Sequence, residues 1–388
     1  MQSPRQVVIL SYSDIESDPR VLRQIRVLKS TFNVEVTVVG CGNEIAGVNF
    51  IHVPVLSTIG RYFGYLIRGH KARQWYFFDR HLSTEVRSRI QDADLVVSNE
   101  IEFLPTLESV ARTGALLVDL HEHHLAGVHS GSAEKITFAR FKRWQLGHLP
   151  SIVERSESRL VTSVSEEIAE KYSEWLAEEK VHTLVNSSAM LPQGFDLRFP
   201  KKPGGEVRMV HHGMGRKNRG IELALATLGL LPQHFTLHLL LRTNLIFRLR
   251  IYFLARLHKV HSRVTFHDPV PFEALIAKLM EFDLSLVPGS SATEHDLYAF
   301  PNKLFESIQA RLPLIVGPNP SVSRVVKFYR IGGVATDWTS RAFYEAVVSL
   351  ESDIRNSSIT PQLDIAANDF SPDKIDGELR KLLLRIFK

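Results

Sequence analysis

Within the stretch Phe300–Gly317, FPNKLFESIQARLPLIVG, the residues Pro301, Asn302, Lys303 and Glu306 are placed to meet one anionic, hydroxyl-rich ligand. Pro301 and Asn302 open a helix, where the first N–H groups are unpaired and the dipole is positive. Glu306 lies about one turn inside, with its side chain tilted back toward that end. Its carboxylate could accept hydrogen bonds from sugar hydroxyls while phosphates meet the N–H groups. It could equally be a capping acid, worth ~0.3–1 kcal/mol. A second cluster is HGMGRKNRG (212–220), a glycine-rich loop with three cations between a strand and a helix. Such a loop suits a diphosphate, with a solvated basic turn as the bland reading.

The run His121-Glu122-His123-His124 invites a metal assignment. It lacks the HExxH spacing that sets two histidines on one helix face, and no cysteine supports a zinc site. One imidazole facing a crevice and bonding a sugar hydroxyl fits better, beside a purely structural histidine. Asp92-Ala93-Asp94 has the spacing of a metal-nucleotide motif but stands at a strand entry, away from the active side of a parallel sheet, so it reads as capping and surface charge.

The elements that must position these groups follow from apolar spacing. Leu304, Phe305, Ile308 and Leu312 share one helix face, and Leu314–Val316 is a short strand buried on both sides. Val7–Ser11 is a strand, and Asp18 caps a helix with Pro19 in the favoured first position. Val34–Val39 follows as a second strand. This opening is Rossmann-like, and ligands of such sheets bind beyond the strands' carboxyl ends, so the 11–18 loop with Arg20 and Arg23 forms a candidate substrate rim. No GxGxxG dinucleotide fingerprint is present. Leu95–Val97 leads into Ser98-Asn99-Glu100, Ala115–Leu120 delivers the 121–124 run, and Ser165 caps a helix over Glu166–Leu176. The basic, Pro/Gly-rich stretch 198–206 reads as a linker. Beyond it the pattern restarts with strands at Val207–His211, Phe235–Leu241, Val264–Phe266, Leu284–Val287 and Gly332–Ala335. A basic amphipathic helix is expected over Phe247–Arg263 as a solvated face, and a C-terminal helix over Ser371–Phe387. The expected domains are therefore 1–199, 200–368 and a terminal helix, 369–388, returning toward the first.

The whole composition is that of a soluble globular protein: 388 residues, 44% hydrophobic, 23% charged, formal charge +5. The mild positive excess suits an anionic ligand or an acidic membrane surface and is too diffuse for nucleic acid. With Cys41 alone, no intramolecular disulfide can form. Val7–Leu10 is too short for a signal h-region, and no apolar run reaches the ~18 residues of a membrane span. A cytoplasmic protein is expected, with the inner membrane face as a place of work. Residues 59–81 mix aromatics with Arg, Lys and His, which suits either peripheral contact with lipid headgroups or an amphipathic helix packed on its own domain.

The segments SDPRVLRQIRVL (17–28), DLHEHH (119–124), VTSVSEEIAEKY (161–172), HHGMGRKNRGIE (211–222) and FPNKLFESIQARLP (300–313), in this order, resemble a GT-B glycosyltransferase of the retaining family 4 group. The resemblance covers nearly the whole chain. It implies an α/β fold of two Rossmann-like domains with parallel sheets facing a cleft, and a hexosyltransferase acting with retention. The second domain would hold a UDP- or GDP-linked sugar as co-substrate, with no cofactor and no required metal. The first would receive a glycan, lipid-linked or small-molecule acceptor, in surface polysaccharide or glycoconjugate biosynthesis. By residue, it implies Glu306 on the donor ribose, Arg219 on the diphosphate and His121 beside the transferred sugar. Gly213, Arg216, Pro301, Asn302 and Lys303 would complete the phosphate site, with Val270 at the base and Tyr298 at the sugar pocket. Ser13, Asp18, Arg20, Asn99 and Glu100 would lie on the acceptor side. Three positions depart from the family pattern: Tyr298 replaces the first acid of its E-x7-E motif, Met214 replaces an arginine beside Gly213, and Arg311 stands where glycine is common. The competing readings are a sugar-nucleotide 2-epimerase-like isomerase and a nucleotide-sugar-binding protein that has lost turnover.

Overall fold

The computed structural model describes residues 3–54, 64, 66–110, 114–125, 133–156, 158–177, 180–186, 205–217 and 219–387. The chain divides into two compact units, Met1–Val185 with Asp376–Lys388, and Asn186–Ile375. The boundary expected at 199–200 and most of the 198–206 linker lie outside the described residues.

The first unit is built on a seven-stranded sheet of β1 (Arg5–Asp14), β2 (Val34–Cys41), β3 (Asn49–His52), β4 (Leu95–Ser98), β5 (Ala115–Leu120), β6 (Arg159–Ser163) and β7 (Val181–Thr183). Its order is β3-β2-β1-β4-β5-β6-β7, parallel throughout. The central strands are continuous apolar runs because helices cover both faces; Ile9, Leu10, Val97 and Leu117 are buried. Helix α1 (Pro19–Thr31) starts where expected: the Asp18 carboxylate accepts the Arg20 N–H at 3.0 Å. Helix α2 (Glu166–Trp175) is likewise capped by Ser165, whose Oγ accepts the Ile168 N–H at 3.3 Å. Asp94 accepts the Gln6 N–H at 2.7 Å at the strand entry, so this acid does cap backbone.

Much of the described part of 59–81 packs on its own unit. The rings of His70, Phe77 and Phe78 lie 6.0, 6.2 and 6.4 Å from that of Phe141, and Gln74 is buried, while Leu66 and Trp75 are exposed. Residues 59–63 and 65 of that stretch are outside the described set.

The second unit carries a six-stranded parallel sheet of β8 (Val207–Met214), β9 (Phe235–Arg242), β10 (Val264–His267), β11 (Leu284–Val287), β12 (Leu314–Val316) and β13 (Gly332–Val334), ordered β10-β9-β8-β11-β12-β13. Around it run α3 (Ile221–Leu230), α4 (Leu245–Leu257) and α5 (Asn302–Gln309). Helix α5 buries Leu304, Phe305 and Ile308, the face its spacing predicted, and ends with Arg311 in the left-handed region at φ 57°. A non-glycine residue there costs roughly 1–2 kcal/mol, and the Arg311 guanidinium is held by Asp364 at 2.8 Å.

The expected helix over Phe247–Arg263 needs correction. It runs from Leu245 to Leu257, capped by Asn244, and stops before Lys259, where φ is 57°. Arg263 then donates to the carbonyl oxygens of Leu228 and Pro232 at 2.8 and 2.9 Å. The face is exposed as expected, with Arg248, Arg250 and Arg256 at the surface, but it also carries an uncovered apolar stripe. Helix α6 (Pro372–Ile386) leads into the segment that belongs with the first unit: Asp376 pairs with Arg26 at 2.8 Å, and the Phe387 ring lies 5.0 Å from that of Phe32.

Candidate functional site

In the second unit the strand order reverses between β8 and β11, and the carboxyl ends of these strands are the position such a reversal favours for a ligand. There β8 delivers His211, His212 and Gly213, while the crossover helix α5 presents Lys303 and Glu306 one turn apart. His212 Nε2 donates to Glu306 Oε2 at 2.8 Å, and both side chains are buried. Among the described residues, His212 Nδ1 is buried with no hydrogen-bond partner. His211 Nδ1 lies 3.0 Å from the Leu286 carbonyl, an acceptor only, so this nitrogen carries the proton. His211 Nε2 is thereby left as an acceptor for Lys303 Nζ at 3.1 Å. Burial, then the neighbouring Lys303, push the His211 pKa well below its ordinary range, keeping it neutral. Burial and Arg219 push Lys303 down to about 7, against the opposing pull of Glu306.

The loop after β8 is shaped by two glycines. Gly213 has φ 98°, and a Cβ there would stand 2.9 Å from Lys303 Cε. Gly220, at φ 77°, starts α3, and a Cβ would strike the Pro288 ring at 2.6 Å. Bare backbone thus passes both the lysine and the end of β11. Arg216 and Arg219 are exposed, and neither pairs with a carboxylate among the described residues. Pro301 occupies the N-cap position of α5 without a side-chain cap. Asn302 is exposed and accepts from Asn186 Nδ2 at 2.9 Å. Tyr298 ends the short helix Glu294–Tyr298, and its carbonyl accepts from Ser321 Oγ at 2.7 Å. Val270 is half-buried in the loop beyond β10. The structure therefore gathers Gly213, Lys303 and Glu306 directly, with Arg219 close enough to perturb the lysine. The two histidines that hold Lys303 and Glu306 were not singled out as site residues; a pair of polar residues closing an apolar strand just before a glycine is the signal that could have found them.

In the first unit the order reverses between β1 and β4, and the acceptor-side candidates converge there. Glu100, just beyond β4, accepts from Ser11 Oγ at 2.9 Å and from the Tyr12 N–H at 3.1 Å. Ser11 Oγ and Ser13 Oγ are 2.8 Å apart. Burial and the neighbouring Glu102 raise Glu100 to about 8, so it is a neutral acid at pH 7. Asn99 exchanges amide hydrogen bonds with Gln24 of α1 at 2.7 and 3.0 Å. Burial pushes the Asp18 carboxyl up, but Arg20, Ser13 and the Arg20 backbone N–H outweigh it and hold it below the usual range. Asp18 and Arg20 are 3.4 Å apart.

Behind them lies a buried layer the sequence reading did not assemble. Arg23 is fully buried, donates from Nη1 to the Val185 carbonyl at 2.8 Å, and is lowered to about 10 by burial against the pull of Asp119. Asp119 accepts from Thr162 Oγ1 at 2.8 Å and is raised by burial. His121 follows β5, and burial, then Arg20, hold it at about 3; it is a neutral imidazole. The turn behind it is clamped by Tyr172, whose hydroxyl donates to the Glu122 carbonyl at 2.8 Å and accepts the His124 N–H at 2.9 Å. Among the described residues no cluster of His, Cys, Asp and Glu could hold a metal ion.

No protein-family model and no curated protein matches this sequence. Solved structures do match over the full length. Sucrose-phosphate synthase from Thermosynechococcus elongatus superposes with a TM-score of 0.73 at 13% identity, covering 99% of each chain. HepE from Anabaena in complex with UDP gives 0.71 at 14%, over 98% of this chain and 99% of that one. WaaG, a glycosyltransferase involved in lipopolysaccharide biosynthesis, gives 0.68 at 15%, over 98% and 100%. The fold is GT-B. In this GT-B chain each polar cluster occupies the switch point of its own parallel sheet, the position that strand order alone favours for a ligand.

Proposed function

We propose that this protein is a retaining glycosyltransferase of the family 4 type. It moves a hexose-type sugar from a UDP- or GDP-linked donor to a glycan, lipid-linked or small-molecule acceptor. We place it in the cytoplasm, building surface polysaccharide or glycoconjugate. The observation that carries the reading is the pairing at the end of β8, where His211 holds Lys303 and His212 holds Glu306 beside the bare backbone of Gly213. It is supported by the full-length likeness to HepE structures that contain UDP and UDP-glucose.

In this reading the donor diphosphate meets the first N–H groups of α5, at Asn302 and Lys303, together with the Gly213 backbone. Arg216 and Arg219 neutralise it from the loop, and Glu306 accepts hydrogen bonds from the ribose. Val270 lies at the base and Tyr298 at the sugar. The bond from the anomeric carbon to the phosphate oxygen breaks as the acceptor oxygen bonds to the same carbon and face. The acceptor's proton passes to the departing phosphate, so no metal and no second carboxylate is required. The neutral His121 imidazole, or its carbonyl, supplies a fixed dipole for the developing positive charge. Ser13, Asp18, Arg20 and the protonated Glu100 offer donors and acceptors to an incoming hydroxyl, while Asn99, buried with its amide engaged by Gln24, holds α1 behind them.

The test is a thermal-shift panel of nucleotides and nucleotide sugars on the purified protein, followed by a release assay for the nucleoside diphosphate with and without EDTA. A donor at ~100 times its Kd should add ~2.7 kcal/mol of stability. That shift should vanish in Glu306→Ala and Arg219→Ala, and release should continue in EDTA. No shift from any nucleotide or nucleotide sugar would sink the donor-site assignment. A shift without release across an acceptor panel would leave a nucleotide-sugar-binding protein instead.

A further inference from the structure

Helix α4 exposes its apolar residues. Leu245, Ile246, Leu249, Tyr252, Phe253 and Leu257 are 70, 80, 48, 42, 67 and 74% exposed. They fall at the spacing of one helix face, while Ile251 and Ala255 on the opposite face are buried in the second unit. The charge along the helix is of one sign. Its 13 residues contain Arg248, Arg250 and Arg256 and no acid. Arg250 pairs with Glu222 at 3.3 Å. Arg248 and Arg256 instead face aromatic rings, 4.9 Å from Phe266 and 5.1 Å from Tyr252, and Arg256 Nε donates to the Tyr252 hydroxyl at 3.0 Å. Exposed Arg242 and Lys259 add basic groups just beyond the two ends.

We propose that α4 is a membrane-surface anchor, seating its Leu/Ile/Phe stripe among the acyl chains of an anionic lipid surface while its arginines pair with headgroup phosphates. Charge complementarity selects this occupant. The face offers cations and no carboxylate of its own, and the Arg256 guanidinium packs on the Tyr252 ring within the stripe, the aromatic–basic pairing that favours a lipid interface. A protein partner of mixed charge would find no acid on the helix to match its own cations. At 1.5 Å per residue the helix is about 20 Å long, and no helix among the described residues is long and apolar enough to cross a membrane. It therefore lies in the plane of the surface. This surface is distinct from the 59–81 stretch and does not depend on the donor-site reading.

The experiment is co-sedimentation of the full chain with vesicles of neutral phosphatidylcholine and with vesicles containing roughly a third phosphatidylglycerol, alongside sedimentation equilibrium in buffer. The expected result is partitioning onto the anionic vesicles that weakens with added salt. It should fall about tenfold or more in Leu249→Glu/Phe253→Glu, and about fivefold for each of Arg248→Gln and Arg256→Gln. These residues face outward, so the melting curves of the variants should match the parent's. Absence of binding to anionic vesicles, or equal binding by the Leu249→Glu/Phe253→Glu variant, overturns the proposal. So does a dimer dissolved by that variant with no vesicle binding, which would assign the face to a second copy of this chain.

Discussion

Lys303 is the residue whose environment makes the sharpest prediction. Burial and Arg219 hold it at about 7, so near neutrality only part of the population is cationic. His211 accepts from it without adding charge, and Glu306 is the acid that opposes the shift. An anionic diphosphate binds the protonated form better and so raises the lysine's pKa in the complex. The sign follows: donor affinity is greatest below about pH 7 and falls as pH rises above it, by up to about tenfold per unit until the pKa of the complex is passed. A nucleotide sugar is the ligand to use, because a free nucleotide's terminal phosphate itself titrates near 6. Isothermal titration from about pH 6 to about pH 9 should show the decline, and Lys303→Met should bind more weakly with a flat profile. A flat parent profile would remove Lys303 from the phosphate site. At this scale the sequence was half legible. Lys303 and Glu306 stand out because helix-start chemistry is local. Their partners His211 and His212 lie 92 and 94 positions away, and only the packing of the crossover helix on β8 reveals them.

At the scale of elements, α5 matters because it carries the site and plugs the core together. Phe305 is fully buried, its ring 5.6 Å from Phe300 and 5.1 Å from Phe370, so the helix is fixed on both sides. Phe305→Ala should cost ~3–5 kcal/mol in equilibrium denaturation. A loss below 1 kcal/mol would mean that the site helix is anchored by something other than this contact. The elements that were legible are those with local signals: the caps at Asp18 and Ser165, the Pro313 and Gly317 bounds of β12, and the 3.6-residue spacing of α5. Those that were not lack such signals. The four residues of β3, NFIH, are half-exposed at a sheet edge and show no alternation. Within α1, Arg23 was expected on a substrate rim beside Arg20, yet it is fully buried, because Asp119 and Val185 lie behind it through tertiary packing; Gln24, which carried no signal of its own, is buried against Asn99. The apolar stripe on the outward face of α4 went unread for a related reason. Composition shows arginines in the helix but cannot say that the leucines and phenylalanine remain uncovered along with the charges.

For the whole molecule, the architecture was readable because the β–α alternation restarts after residue 206 with the same local grammar. The strand orders were not, because pairing β1 with β4 and β8 with β11 is decided by crossovers rather than by any one strand's residues. Those orders have a consequence for where a donor acts. If the nucleotide sugar binds at the second switch point, its primary contacts are the backbone of 211–220 and the first turn of α5. Hydrogen exchange with a saturating nucleotide should therefore slow the amides of 213, 215, 219 and 220 and of 302–304. The amides of Leu245–Leu249, in the first turns of α4, should exchange unchanged. The cluster of Ser11, Asn99 and Glu100 belongs to the other unit and, among the described residues, offers a diphosphate little: Arg20 beside it is already committed to Asp18, and its carboxyl Glu100 is held neutral. Primary protection there instead of at 211–220 would reverse the roles of the two units. A nucleotide that protects the second switch point and leaves the first accessible keeps the acceptor side open, which a transfer between two substrates requires.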